Sequence, residues 1–334
     1  MTIDTLDGRN APKASRISHL EEPRRPALSI TVDHRKPVLA PRDWVQVKSA
    51  SEILASLDAN GRLDGLPPMP ELLEFVGQRL QVSRRVEKTC VEGYALRGMS
   101  DALILQDVRC NGAAHDGCER RCAIFWKDAW LRAEGEPAPV IDPAVEAAAR
   151  QRLNSLPVRE GALYQCQSTS LGAATGPIFR WNYVPLVRDV LRGELSLGGF
   201  FEIIGRTALN RFRAVLKTRE IGLILGVAEK PDRGDLGLKP GDKVRIRTTE
   251  QIRATLDKTG RNRGLTFEPE MSLHIGKVYE VDYQVSRIIH EETGKMIPLT
   301  HTVVLKGLNC RGVCMKNCPR ANPLYWREAW LERV

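Results

Sequence analysis

The chain contains itself twice. Residues 41–82 lie over 240–281 without a gap, with identities in phase at Asp43/Asp242, Ile53/Ile252, Asp58/Asp257, Gly61/Gly260, Arg62/Arg261, Glu71/Glu270 and Gly77/Gly276 among others. A second ungapped stretch runs from Cys110/Cys310 to Leu131/Leu331 and carries Cys118/Cys318, Trp126/Trp326 and Trp130/Trp330. Between the two stretches the register shifts by one residue. Self-similarity at so long a spacing marks a duplicated domain and not a solenoid of short repeats. The expected organisation is a disordered tail over 1–39, a first repeat over 40–134, a linker and helical segment over 135–235, and a second repeat over 236–334.

Each repeat opens with a short alternating strand, "DWVQVKS" or "DKVRIRT", after a Pro-containing turn. "SASEILASLDANG" and "TTEQIRATLDKTG" follow as short helices, with Ser or Thr as cap and Gly61 or Gly260 as stop. "PELLEFVG" and "PEMSLHIG" place Pro and Glu in a first turn, where both are favoured. Period-two runs then predict further strands, with "HEETGKM" as a hairpin loop in the second repeat. The predicted fold class is α+β. It comprises two repeated small β-barrel units, SH3-like by analogy, each with a cysteine cluster, joined by the helical middle segment. Trp126 and Trp130 are four apart, as are Trp326 and Trp330, so each pair is expected on one face of a short closing helix.

The cysteines suggest a metal. In the first repeat, Cys110, His115, Cys118 and Cys122 are closely spaced and Cys90 lies upstream; in the second, Cys310, Cys314 and Cys318 follow His290. Structural zinc takes four sulfur or nitrogen ligands in a tetrahedron. The expected first set is Cys90, Cys110, Cys118 and Cys122, with His115 competing for the fourth place, and the second is His290, Cys310, Cys314 and Cys318. Zinc is the expected ion and an iron–sulfur cluster the second choice, because no ferredoxin spacing occurs. The bland alternative is buried structural thiols. Cys166 has no counterpart in the other repeat; it admits a nucleophile, but a plain buried thiol is the better reading.

A net charge of +9 and a pI of 9.2 favour acidic partners, either nucleic acid or an acidic protein. Residues 199–217 form a basic amphipathic stretch, which admits peripheral membrane contact although packing is the commoner use. No apolar run reaches the length of a membrane span, and the N-terminus lacks the layout of a secretory signal, so a cytoplasmic location is expected. No nucleotide-binding or protease motif occurs in the sequence, so no catalytic residue is assigned. Arg62 and Arg261 are expected to pair with Asp58 and Asp257.

"LDANGRLDGLPPMPE", "RCNGAAHDGCERRCAIFWKDAWL" and "CPRANPLYWREAWLERV" resemble segments of a group of uncharacterised bacterial proteins of similar length. The resemblance covers both repeats and part of the middle segment and implies no activity. The expected role is therefore a zinc-containing binding or adaptor protein for an acidic partner. The alternative is a biosynthetic enzyme with its site between the repeats.

Overall fold

The computed structural model describes residues 38–92, 95–179, 181–218, 221–229 and 234–334, so nearly all of the tail expected over 1–39 lies outside the described residues. It is a mixed α and β structure built on antiparallel sheets. In the first sheet, β1 (Trp44–Val47), β2 (Arg79–Val91), β3 (Ala95–Arg109), β4 (Ala123–Lys127) and β5 (Leu131–Ala133) run in the order β4-β3-β2-β1-β5. The second comprises β6 (Lys243–Ile246), β7 (Val278–Gln284), β10 (Thr302–Asn309), β11 (Pro323–Arg327) and β12 (Leu331–Arg333), in the order β11-β10-β7-β6-β12. Strand for strand the two orders are the same. Between β7 and β10 stands a hairpin, β8 (Arg287–Ile289) and β9 (Met296–Pro298). Its loop is the one expected from "HEETGKM", closed by the His290 amide on the Lys295 carbonyl at 2.8 Å.

Local signals in the two halves are answered by the same bonds. Helix α1 (Ala50–Ala55) begins at Ser49, and Glu52 completes a capping box. Helix α2 (Pro143–Asn154) is capped by Asp142. Helices α3 (Gln167–Ala174), α4 (Val184–Leu191) and α5 (Leu197–Val215) follow, and α6 (Thr249–Thr255) repeats the capping box with Thr248 and Gln251. The Pro-Glu segments form single stretches of 3-10 helix, Pro70–Phe75 and Pro269–His274.

Three expectations are corrected. The closing tryptophan helix is not formed. Residues 123–127 are a strand buried along its whole length, and Asp128–Trp130 is one 3-10 turn into β5. "AIFWK" offers no polar face to solvent, and a segment buried on both sides suits a central strand better than a surface helix. Trp126, Trp130, Trp326 and Trp330 are each 0% exposed, so they belong to the core. Phe75 meets Trp126 edge-on at 6.1 Å, as Phe267 meets Trp326. Lys127, buried in the strand, reaches Asp64 at 2.9 Å.

The second correction concerns Arg62, whose guanidinium donates to Ser170 Oγ and Gln165 Oε1, both at 3.0 Å, instead of pairing with Asp58. Asp58 accepts from the amides of Asn60 and Arg62, and Asp257 from those of Thr259 and Arg261. A short carboxylate is satisfied by its own turn before a long arginine can reach it. The third concerns the basic helix expected over 199–217. Ile203 is its only fully buried residue, while Phe201, Leu209, Phe212 and Val215 are exposed, so it does not pack into the sheets along its apolar side.

Candidate metal centre

Each cysteine cluster lies in the loop after a sheet's third strand, residues 110–122 and 310–322. Gly112 and Gly312 turn these loops with positive φ. A Cβ at Gly112 would fall 2.1 Å from the Cys118 carbonyl oxygen, and one at Gly312 would fall 2.5 Å from that of Cys318. Only glycine allows each loop to fold onto its own later cysteine.

The loops then cross over. The Ile289 amide donates to Cys118 Sγ at 3.4 Å, and the Cys90 amide donates to Cys318 Sγ at 3.2 Å. Arg120 Nη1 donates to the Ile289 carbonyl at 2.9 Å, and Arg320 Nη1 to the Cys90 carbonyl at 3.1 Å. Ile289 is the repeat counterpart of Cys90, and Arg320 of Arg120. Each loop is thus seated on the other half's hairpin by the same contacts.

Glu291 closes this junction. It takes Arg320 at 2.6 Å and Arg120 at 3.3 Å, and accepts from Ser168 Oγ at 2.9 Å and the Glu92 amide at 3.0 Å. Burial alone would raise its pKa, but the two guanidiniums outweigh burial and hold it below the ordinary carboxylate value.

Beside this network lies a cavity of about 30 Å³, lined by Cys110, Cys118, Cys122, Cys166, His115 and Arg320 among others. Three of the four cysteines come from the first loop. Cys166 is the N-cap residue of α3. Gln167 fixes the start of that helix against β4: its side chain accepts from the Phe125 amide and donates to the Phe125 carbonyl, both at 2.8 Å. Burial raises the pKa of Cys110, Cys118 and Cys166, the last to about 11, and the Glu71 carboxylate pushes Cys110 further. A bound cation reverses that penalty by taking the place of the thiol protons.

The sets expected from sequence are rearranged. Cys90 leaves the first set and faces Cys318, with 3.4 Å between their sulfurs. His115 is held on both ring nitrogens, Nδ1 by Glu71 at 2.8 Å and Nε2 by the Gln165 carbonyl at 3.3 Å. Burial opposes its protonation, yet the Glu71 carboxylate outweighs burial and raises its pKa, as suits a buried ion pair. His290, Cys310 and Cys314 line a larger cavity of about 810 Å³, and His290 Nδ1 lies 2.9 Å from Thr293 Oγ1. Sequence reasoning passed over Cys166 because it has no repeat partner. The available signal was the lack of a fourth cysteine in the first loop.

Spacing bears on what the first cavity can hold. Among the described residues, the groups of three or more candidate ligand atoms within 4.8 Å of one another are Glu71–Cys110–His115 and Asp235–His301–Glu328. In the second, Glu328 already accepts from the amides of Leu236, Gly237 and Leu238. The expected clustering of Cys110, Cys118 and Cys122 within about 4 Å, which Zn–S bonds near 2.3 Å require, is therefore not present. No family model, curated protein or solved structure matches the chain. No helix among the described residues is long and apolar enough to cross a membrane.

Proposed function

We propose that this chain is a metal-thiolate protein: two SH3-like β units, arisen by duplication, exchange cysteine loops and hold a thiophilic metal centre at their junction. The observation that carries this reading is the convergence of Cys110, Cys118, Cys122 and Cys166 on one cavity. The four thiols come from two separated segments, beside Arg120 and Arg320, whose charges Glu291 meets. The donor set fits an all-sulfur site. Zinc and an iron–sulfur cluster are the two groups such thiols select. Bound there, such a centre would supply electron transfer or an open metal site. The chain's own residues would exclude water from it. Metal and acid-labile sulfide analysis of anaerobically purified protein tests the reading. Iron with matching sulfide supports it, zinc without sulfide keeps the site but changes the ion, and protein without either metal defeats it.

A second reading, an enzyme with its site between the two units, is favoured by the cavity of about 810 Å³. Glu92 and Arg120 from the first half, Arg206 from the middle segment and much of the second half line it. Arg261, Arg263 and Lys295 on its wall would select an anionic small molecule. Thermal-shift screening against carboxylates and phosphates tests this, with Arg263→Glu expected to abolish any shift. The adaptor reading rests on net charge alone.

A further inference from the structure

Helix α5 is held by one side. Its buried residue, Ile203, packs with Leu186 of α4 and Val313 of the second cysteine loop. On the same side Asn210 Oδ1 accepts from the Ile221 amide at 3.2 Å, and Arg206 donates to the Ile221 carbonyl at 3.0 Å. The opposite side is apolar and uncovered. Leu197, Phe201, Leu209, Phe212, Val215 and Leu216 fall within an arc of about 120° at helical spacing, and each is between 46% and 80% exposed. Gly198, Gly205 and Ala208 fill the rest of that arc, which therefore carries no polar side chain.

The edges of the arc are basic. Arg211 borders it on one side, Arg213 and Arg206 on the other, and Lys217 follows at the end. Glu202, the one carboxylate of the helix, is engaged by Arg311 at 2.9 Å. The Arg211 guanidinium stands over the Trp181 ring at 3.8 Å, and Trp181 is itself exposed, so an aromatic extends the apolar surface beyond the helix.

We propose that this face is a peripheral membrane-binding surface for an anionic bilayer. Helix α5 lies flat, its apolar arc enters the boundary between headgroups and acyl chains, and the arginines at its edges meet lipid phosphates. Exposed apolar surface rimmed by charge marks an interaction site, and the sign of the rim selects the partner. An arc without hydrogen-bonding side chains suits hydrocarbon, where an unpaired polar group is costly. Trp181 beside Arg211 suits the headgroup level, where tryptophan is favoured. A second copy of the chain is a poorer occupant. It would bring basic edges against basic edges, with only Glu202, already paired, to offset them. The surface is separate from the thiol cavity, and its test does not depend on the metal.

The full-length protein is floated with vesicles of phosphatidylcholine alone and of equal parts phosphatidylcholine and phosphatidylglycerol. The proposal predicts capture by the anionic vesicles only, weakened by salt as the attraction is screened. Phe201→Glu/Phe212→Glu should abolish capture while Tm and circular dichroism stay at wild type, since both rings lie outside the core. Arg211→Gln/Arg213→Gln should weaken partitioning about 30-fold, at the usual worth of two basic residues near an anionic surface. Capture by neither vesicle overturns the proposal, as does equal capture by the uncharged ones. A wild-type chain that ignores vesicles, is dimeric by sedimentation velocity and becomes monomeric in Phe201→Glu/Phe212→Glu assigns the face to self-association and overturns it too.

Discussion

The sulfur of Cys90 lies 3.4 Å from that of Cys318, although 228 positions separate them in the chain. Neither repeat could build this contact alone. Cys90 stands in the long β2–β3 hairpin of the first sheet, and Cys318 in the loop between the second sheet's third and fourth strands. The reciprocal contact of Cys118 with the Ile289 amide shows that the exchange runs both ways. The buried Arg320–Glu291 pair lies at the same junction, so the two cysteine loops and the charge network form one construction.

That network should be costly to break. Glu291→Ala leaves Arg120 and Arg320 buried with their shared countercharge gone, and losing one partner of a buried ion pair typically costs about 3–5 kcal/mol. Calorimetry should show a large fall in Tm. If the variant melts with wild type, the network does not hold the junction.

Trp126 should be structural. It is 0% exposed, paired through the strand with Leu103 and edge-on to Phe75. Trp126→Ala should cost about 3–5 kcal/mol in denaturant unfolding, the usual range for deleting a buried aromatic. A variant that unfolds at the wild-type midpoint would remove the tryptophan from the core account.

How far the sequence disclosed this structure depends on the range of each interaction. The caps at Ser49 and Thr248, the turn at Asp58 and the hairpin loop after His290 were legible because they close within a few residues. The tryptophan segment misled because four-residue spacing in "FWKDAW" satisfies helical periodicity, and only tertiary burial decides for strand. The metal sets were drawn within each repeat, and nothing local reveals that Cys90 faces Cys318. An offset of 199 residues does pair Cys90 with Ile289 and not His290. That arithmetic was the available hint that the second repeat lacked its own upstream ligand.

Glu52 offers a pH test away from the cysteines. Burial would raise its pKa, but the Ser49 amide and hydroxyl and the Arg132 guanidinium prevail and hold it below the ordinary value. A carboxyl depressed in the folded state stabilises above its unfolded pKa, and that contribution is lost as pH falls through the folded value. Glu52→Gln should therefore be less stable than wild type at pH 7, by about 1 kcal/mol after allowance for screening, and the gap should close in acid. A gap that persists undiminished at pH 3 would assign the loss to packing instead.

X-ray absorption at the metal edge of the anaerobically purified chain tests the central claim most directly. The account predicts a first shell made only of sulfur at ~2.3 Å, and, for an iron–sulfur centre, a metal–metal shell beyond it. A first shell dominated by nitrogen or oxygen, such as His115 or His290 would give, would contradict it.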